Sequence, residues 1–245
     1  MRKYYYYDEL DSTMSEYLRL KESIDSPIVV RAATQKDGIG RANHIWLSPP
    51  GGLWFTFDLY LEHSVPSFAL YVGFCIHECL LSLFVNLQNK LKIKWTNDII
   101  YDDHKLGGIL CRYVPAKKTY TIGIGLNTNN AIDKNLGKFG AVSLKDIIGF
   151  DVSNRYLCQS LIESIESKDK NLSSDLSYLT YCNENLFGKG RWARIELGGL
   201  TIEAEVIGID INGALIIRKD MGEYISIHTG TILDFISKHR VLLDR

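Results

Sequence analysis

The sequence predicts an α+β protein: a large domain over residues 1–187, built on a mixed β-sheet with helices packed on it, then a small β-barrel over residues 188–245. Three observations carry this. The chain has 245 residues, between one and two domains at roughly 150 residues each. Strand-like and helix-like segments share its first three quarters. At Gly188-Lys189-Gly190 the composition shifts to short β segments with turn signals at Gly198-Gly199, Asn212-Gly213 and Met221-Gly222, the pattern of a small barrel.

The elements follow in order. Lys3 to Leu10 is aromatic and β-prone, and Asp11-Ser12-Thr13 offers N-cap chemistry to a helix striped by Met14, Tyr17 and Leu18. Pro27 to Thr34 reads as a buried strand, and Leu53 to Leu61 (LWFTFDLYL) as a strand with Thr56 and Asp58 on one face. Between them, Gln35 to Gly52 is a long loop rich in Gly, Asn and Pro, a kind that tends to be functional inside a compact domain. We expect it to be mobile and to order on ligand binding. Phe68 to Leu87 reads as a long apolar helix, with Cys75 and Cys79 as buried core thiols rather than metal ligands. Leu91 to Trp95, Ile99 to Tyr101, Gly108 to Val114 and Tyr120 to Gly125 read as successive strands, linked by tight turns such as Tyr101-Asp102-Asp103-His104. Ser143 to Ile148, Ser153 to Ser167 and Ser173 to Leu186 read as helices.

Composition excludes several classes. Lys and Arg total 28 against 29 Asp and Glu, a net charge of −1, and the balance is alike before and after residue 180. Bulk charge therefore does not support a nucleic-acid partner. No apolar run is long enough for a membrane span, and the tyrosine-rich start lacks the apolar core of a signal peptide. Five dispersed cysteines, an odd number in a chain too long to need staples, point to a reducing, cytoplasmic compartment. No metal-ligand spacing or Gly-x-Ser-x-Gly elbow occurs, so no metal site is assigned. His44, His63, His104, His228 and His239 read as surface residues, and Cys111 as core.

Three polar, Gly-containing segments are candidate sites. In Gln35-Lys36-Asp37-Gly38-Ile39-Gly40-Arg41 the glycines allow close backbone approach and Arg41 offers a charge-assisted bond to an oxyanion; a solvated surface loop is the alternative. In Lys94-Trp95-Thr96-Asn97-Asp98, followed by Lys105-Leu106-Gly107-Gly108, Lys105 at the end of a hairpin suits phosphoryl oxygens, and Asn97 and Asp98 can orient it or bind a polar ligand; a solvated turn is the alternative. In Gly123-Ile124-Gly125-Leu126-Asn127 alternating glycines imply close approach of a ligand or of another backbone.

Taken in this order, the segments resemble the biotin protein ligase family, from Asp11 to about Leu233. The matching pieces are Asp11-Ser12-Thr13, the Gln35 to Arg41 loop with Trp46-Leu47-Ser48-Pro49, Lys94-Trp95-Thr96-Asn97-Asp98, Lys105-Leu106-Gly107-Gly108-Ile109-Leu110, and Gly123 to Asn127. Each is weak alone; five in order are specific. The resemblance implies a catalytic domain like those of class II aminoacyl-tRNA synthetases and biotin ligases, and an SH3-like terminal barrel. It implies activation of biotin by ATP with Mg²⁺ to biotinyl-5′-AMP, with no tightly bound prosthetic group. Biotin then passes to one lysine of a biotin carboxyl carrier protein domain.

By resemblance, Lys105 and Arg41 are the catalytic cations. Biotin contacts fall on Ser12, Thr13, Gln35, Gly38, Lys105, Gly108 and Gly123, and nucleotide contacts on Arg41, Trp46, Asn97, Asp98 and Asn127. Two positions depart from the family pattern. Ile39 stands where many members carry a first loop arginine, with Lys36 as a conceivable substitute, and Thr96 stands where proline is usual, read as a local stiffness change. A repressor function is not expected, since no helix-turn-helix precedes the domain. A homodimer through a sheet edge is compatible with the sequence. The alternatives are a lipoate or octanoate ligase of the same superfamily and a non-catalytic biotin or adenylate sensor.

Overall fold

A computed structural model describes residues 2–132, 140–168, 172 and 175–237, residue 43 by its backbone alone. The strands are β1 (Lys3–Leu10), β2 (Ile28–Gln35), β3 (Leu53–Tyr60), β4 (Leu91–Lys94), β5 (Asp98–Tyr101), β6 (His104–Val114), β7 (Thr119–Leu126), β8 (Trp192–Leu197), β9 (Leu200–Ile209), β10 (Leu215–Arg218), β11 (Tyr224–Ile227) and β12 (Thr231–Ile236). The helices are α1 (Thr13–Leu20), α2 (Phe68–Leu83), α3 (Leu144–Ile148), α4 (Asn154–Ser167) and α5 (Ser177–Glu184). A seven-stranded sheet runs β1-β2-β3-β7-β6-β5-β4, and a five-stranded sheet runs β11-β10-β9-β8-β12. The first is mixed, because β1 and β2 are parallel while β2–β3, β3–β7 and β6–β7 are antiparallel. The second is antiparallel throughout, as expected of the small barrel.

Side-chain alternation assigns the two faces of the large sheet. Leu53, Phe55, Phe57 and Leu59 of β3 join Ile122, Ile124 and Leu126 of β7 in one buried cluster with α2, α4 and α5. Trp54, Thr56 and Asp58 of β3, with Gly123 and Gly125 of β7, look the other way, toward α1 and the Gln35–Gly52 loop. That face carries the candidate site. On α1, the Ser12 side chain caps the helix by accepting from Met14 N–H. Beneath α1, Asp58 accepts from Arg2 at 2.9 Å and pairs with Lys21 at 3.2 Å, which fixes the far end of α1 to β3.

The structure changes three sequence expectations. α2 ends at Leu83 because Phe84 turns extended, and Val85–Leu87 form a separate 3-10 turn. β6 starts at His104 rather than Gly108: Asp102 and Asp103 both take positive φ, so a two-residue turn pairs His104 with Tyr101. Lys105 is thus held in a strand. The third helix of that region begins at Ser177, and Ser173 lies outside the described residues. Cys75 and Cys79 are buried and all five cysteines are free. His44, His63, His104 and His228 are exposed, and His239 lies outside the described residues. Among the described residues no helix is long and apolar enough to cross a membrane.

Candidate functional site

The face of β3, β7 and β6 left free by the helices floors a cavity of about 1170 Å³, ample for a small ligand with a nucleotide. Every sequence-predicted site residue except Gly38 lines it: Ser12, Thr13, Gln35, Arg41, Trp46, Asn97, Asp98, Lys105, Gly108, Gly123 and Asn127. Gly38 lies off the wall. Its carbonyl accepts from Trp46 N–H at 2.7 Å, and a Cβ there would stand 2.3 Å from Trp46 O. Its lack of a side chain serves the close pairing of the loop.

That loop is a hairpin in its own right. Gln35 and Gly40 N–H donate to Ser48 and His44 carbonyls at 3.2 and 2.8 Å, which brings Trp46 back over the sheet. The indole lies on the glycine floor: a Cβ at Gly125 would be 2.5 Å from Trp46 Nε1, and one at Gly108 would be 2.8 Å from its ring. Side chains at either position would collide with it, which is the physical reason for Gly-x-Gly on β7. Trp46 also meets Trp54 edge-on at 6.2 Å, and Lys105 Nζ sits over its ring at 4.9 Å. Among the described residues its own Nε1–H is buried with no partner, a donor free for a ligand acceptor.

One part of the cavity is neutral and hydrogen-bonding. Thr13 N–H donates to Gln35 Oε1 at 2.7 Å, Gln35 Nε2 donates to Ser48 Oγ at 2.6 Å, and the Thr13 and Thr56 hydroxyls bond at 2.9 Å. Thr56 pairs with Gly123 across the ladder. Two residues along, Trp54, Gly125, Gly108 and Asp98 stand in a row, about 7 Å away at strand rise. There the cavity is charged. Lys105 Nζ pairs with Asp98 at 2.9 Å, and Arg41 donates to Asn97 Oδ1 at 2.8 Å, to Thr96 Oγ1 and to Gly230 O at 3.2 Å. Asn127 holds the turn behind this cluster: its Nδ2 donates to Lys105 O at 3.3 Å and its Oδ1 accepts from Asn130 at 3.1 Å.

Sequence reasoning missed three contributors. Lys94, at the end of β4, lines the cavity with only 6 % of its surface exposed. Burial pushes its ammonium down to about 8; Lys105 and Arg41 push the same way and Asp98 opposes. Thr56 carries a signal in the sequence, a polar residue on an apolar strand, that points to no particular role by itself. Thr231, Ile232 and Leu233 reach the cavity from β12, with no local signal at all. Lys36 instead pairs with Glu9 at 2.7 Å in the open and does not line the cavity, so it does not replace the arginine missing at Ile39. Among the described residues, three cations, Arg41, Lys94 and Lys105, thus face one carboxylate, Asp98, beside a glycine-floored slot. That arrangement suits a ligand with an apolar body and anionic groups at one end.

Comparison with known proteins agrees. The model of the biotin/lipoate A/B protein ligase family matches residues 6–129, just over half of the chain. Biotin–protein ligase 2 of Arabidopsis thaliana is 35 % identical over 103 residues, covering 39 % of this chain and 31 % of that protein. The Homo sapiens biotin–protein ligase is 24 % identical over 221 residues, covering 82 % of this chain and 30 % of that protein. The chain therefore spans about a third of the length of these curated relatives. Among solved structures, the biotin protein ligase from Aquifex aeolicus in complex with biotin and ATP superposes with a TM-score of 0.80 at 26 % identity, over 93 % of this chain and 96 % of that one. Motif order, cavity placement and these matches agree that the chain belongs to the biotin/lipoate A/B protein ligase family.

Proposed function

We propose that this protein is a biotin protein ligase, which activates biotin with ATP and transfers it to a lysine of a biotin carboxyl carrier protein domain. The observation that carries this is the two-part cavity: the Thr13–Gln35–Thr56 hydrogen-bonding end and the Lys105–Arg41 cationic end lie on one glycine floor. Biotin has the matching form, a polar ring system at one end and a carboxylate on an aliphatic chain at the other. Ser12, Thr13, Gln35 and Thr56 take the ring. The chain lies over Gly123 and runs beside the Trp46 indole, and the carboxylate reaches Lys105.

In the first step a carboxylate oxygen attacks the α-phosphorus of ATP, bound with Mg²⁺. A phosphorus–oxygen bond forms to biotin, the bond to the β-phosphate oxygen breaks, and pyrophosphate leaves. Two anions must meet, so the protein's contribution is positioned positive charge. Lys105 bridges the carboxylate and the α-phosphate, Arg41 clamps the phosphate, and buried Lys94 adds a third cation beneath them. Asn97, Asp98 and Asn127 border the nucleotide, and Trp46 covers the reacting atoms and excludes water from the mixed anhydride. In the second step the acceptor amine attacks the anhydride carbonyl. An amide forms, AMP leaves, and the amine gives up a proton. Residues 1–187 do the chemistry in this reading, Thr231, Ile232 and Leu233 of β12 close one wall, and the free cysteines fit a reducing compartment.

The test is transfer. Purified protein, ATP, Mg²⁺ and a carrier domain are incubated with biotin and probed with streptavidin. Labelling that disappears when the carrier lysine is changed to Arg is expected; an unlabelled carrier with biotin, together with a lipoylated one with lipoate, overturns the reading.

A further inference from the structure

Arg41 is the one arginine of the Gln35–Gly52 loop, and its head is held by groups from outside that loop. One Nη donates to Thr96 Oγ1 and to Asn97 Oδ1, the second at 2.8 Å, and the other donates to Gly230 O at 3.2 Å. Thr96 Oγ1 turns its own proton toward Asn97 Oδ1 at 3.4 Å, and Asn97 Nδ2 donates to Ile109 O at 2.8 Å. The guanidinium is thereby tied through two side chains to the backbone of β6, the strand that carries Lys105. Among the described residues three of its five donors are engaged, leaving two for an anion in the cavity. Asn97 lines the cavity and Thr96 does not, so the Thr96 hydroxyl meets the site through Arg41.

We propose that Thr96 is a positioning residue for Arg41, and that it compensates for Ile39. A loop with a single arginine retains the acyl-adenylate by keeping that arginine in one rotamer, and the hydroxyl at position 96 supplies an acceptor that a proline there lacks. Free, a guanidinium on three methylenes samples many rotamers, and ordering it on ligand binding weakens the clamp. Held by Thr96 and Asn97, it meets the phosphate already oriented. This inference rests on the proposed ligase activity, in which Arg41 clamps the phosphate.

The experiment forms the adenylate from biotin and ATP on wild type, Thr96→Val, Thr96→Ser and Arg41→Ala proteins, removes free nucleotide, and follows escape of biotinyl-AMP into solution. KM for biotin and the melting temperature are measured alongside. Thr96→Val, which keeps the shape and loses the hydroxyl, is expected to release the adenylate about tenfold faster, the scale of one hydrogen bond to a charged group. Biotin KM and melting temperature stay at the wild-type values, Thr96→Ser restores retention, and Thr96→Val adds nothing in the Arg41→Ala background. Wild-type retention in Thr96→Val overturns the inference. So does a Thr96→Ser protein as leaky as Thr96→Val with biotin KM raised in both, which would make Thr96 a packing residue. A wild-type protein that forms no adenylate refutes the ligase reading, and this inference with it.

Discussion

Lys94→Met is the perturbation with the clearest signature. Lys94 is 6 % exposed, and burial, with Lys105 and Arg41 nearby, lowers its ammonium from 10.5 to about 8. That difference corresponds to about 3 kcal/mol of destabilisation of the charged form in the folded protein. At pH 7 the lysine is protonated in both the folded and the unfolded chain, so the whole penalty is present. Methionine keeps the length and the apolar stem without the charge. The variant should be more stable at pH 7 by up to about 3 kcal/mol, a rise in melting temperature of about 6–12 °C for a chain of this size. The sign fixes the pH course. Between about pH 8 and 10.5 the unfolded wild type binds more protons than the folded one, so wild-type stability rises with pH and the gap to Lys94→Met closes. Thermal unfolding of both proteins at pH 7, 8.5 and 10 measures this, and adenylate formation at pH 7 should fall in the variant even as its stability rises. A Lys94→Met protein less stable than wild type at pH 7, or a gap that does not shrink as pH rises, would refute the reasoning.

Further outcomes follow from the same geometry. Lys105→Ala should lower adenylate formation by about a hundredfold or more while biotin affinity, by calorimetry, falls far less; equal losses would make Lys105 a binding group only. Gly125→Ala should push Trp46 off the glycine floor, since the new Cβ would stand 2.5 Å from Nε1; a red shift in tryptophan emission and a higher ATP KM are expected, and unchanged values for both would contradict the contact. Limited proteolysis should leave residues 35–52 of the free protein largely uncut, because the hairpin and the Arg41 bonds already hold the loop; rapid cutting there that saturating biotin suppresses would show instead that the loop orders only with ligand.

How much of this was legible in the sequence depends on the range of the interactions. The alternation in LWFTFDLY assigns β3 its two faces, and Gly-x-Gly on β7 announces a close approach, because both are local periodicities. The neutral end of the site was legible for a similar reason: Ser12 and Thr13 sit at a helix start whose cap residue is readable. Lys94 was not, because the sequence around it cannot show that the cavity wall closes over it and removes it from water. Thr96 read as a change of stiffness, whereas its hydroxyl meets an arginine 55 residues earlier in the chain. The Arg41–Gly230 contact spans 189 residues and joins the Gln35–Gly52 loop to the turn before β12, so no local pattern encodes it. At Gly38 a Cβ would meet the Trp46 carbonyl, a packing constraint between residues eight apart that the glycine-rich motif alone does not show.

The central claim is that the cationic end of the cavity joins a biotin carboxylate to the α-phosphate of ATP. Its most direct test is pyrophosphate release from ATP and Mg²⁺ with no carrier present, driven in turn by biotin, lipoate and octanoate. The account predicts release with biotin, stopping near one equivalent per site as the adenylate is retained, and little with the other two acids. Release driven by lipoate or octanoate in preference to biotin, or tight biotin binding with no pyrophosphate at all, would contradict it.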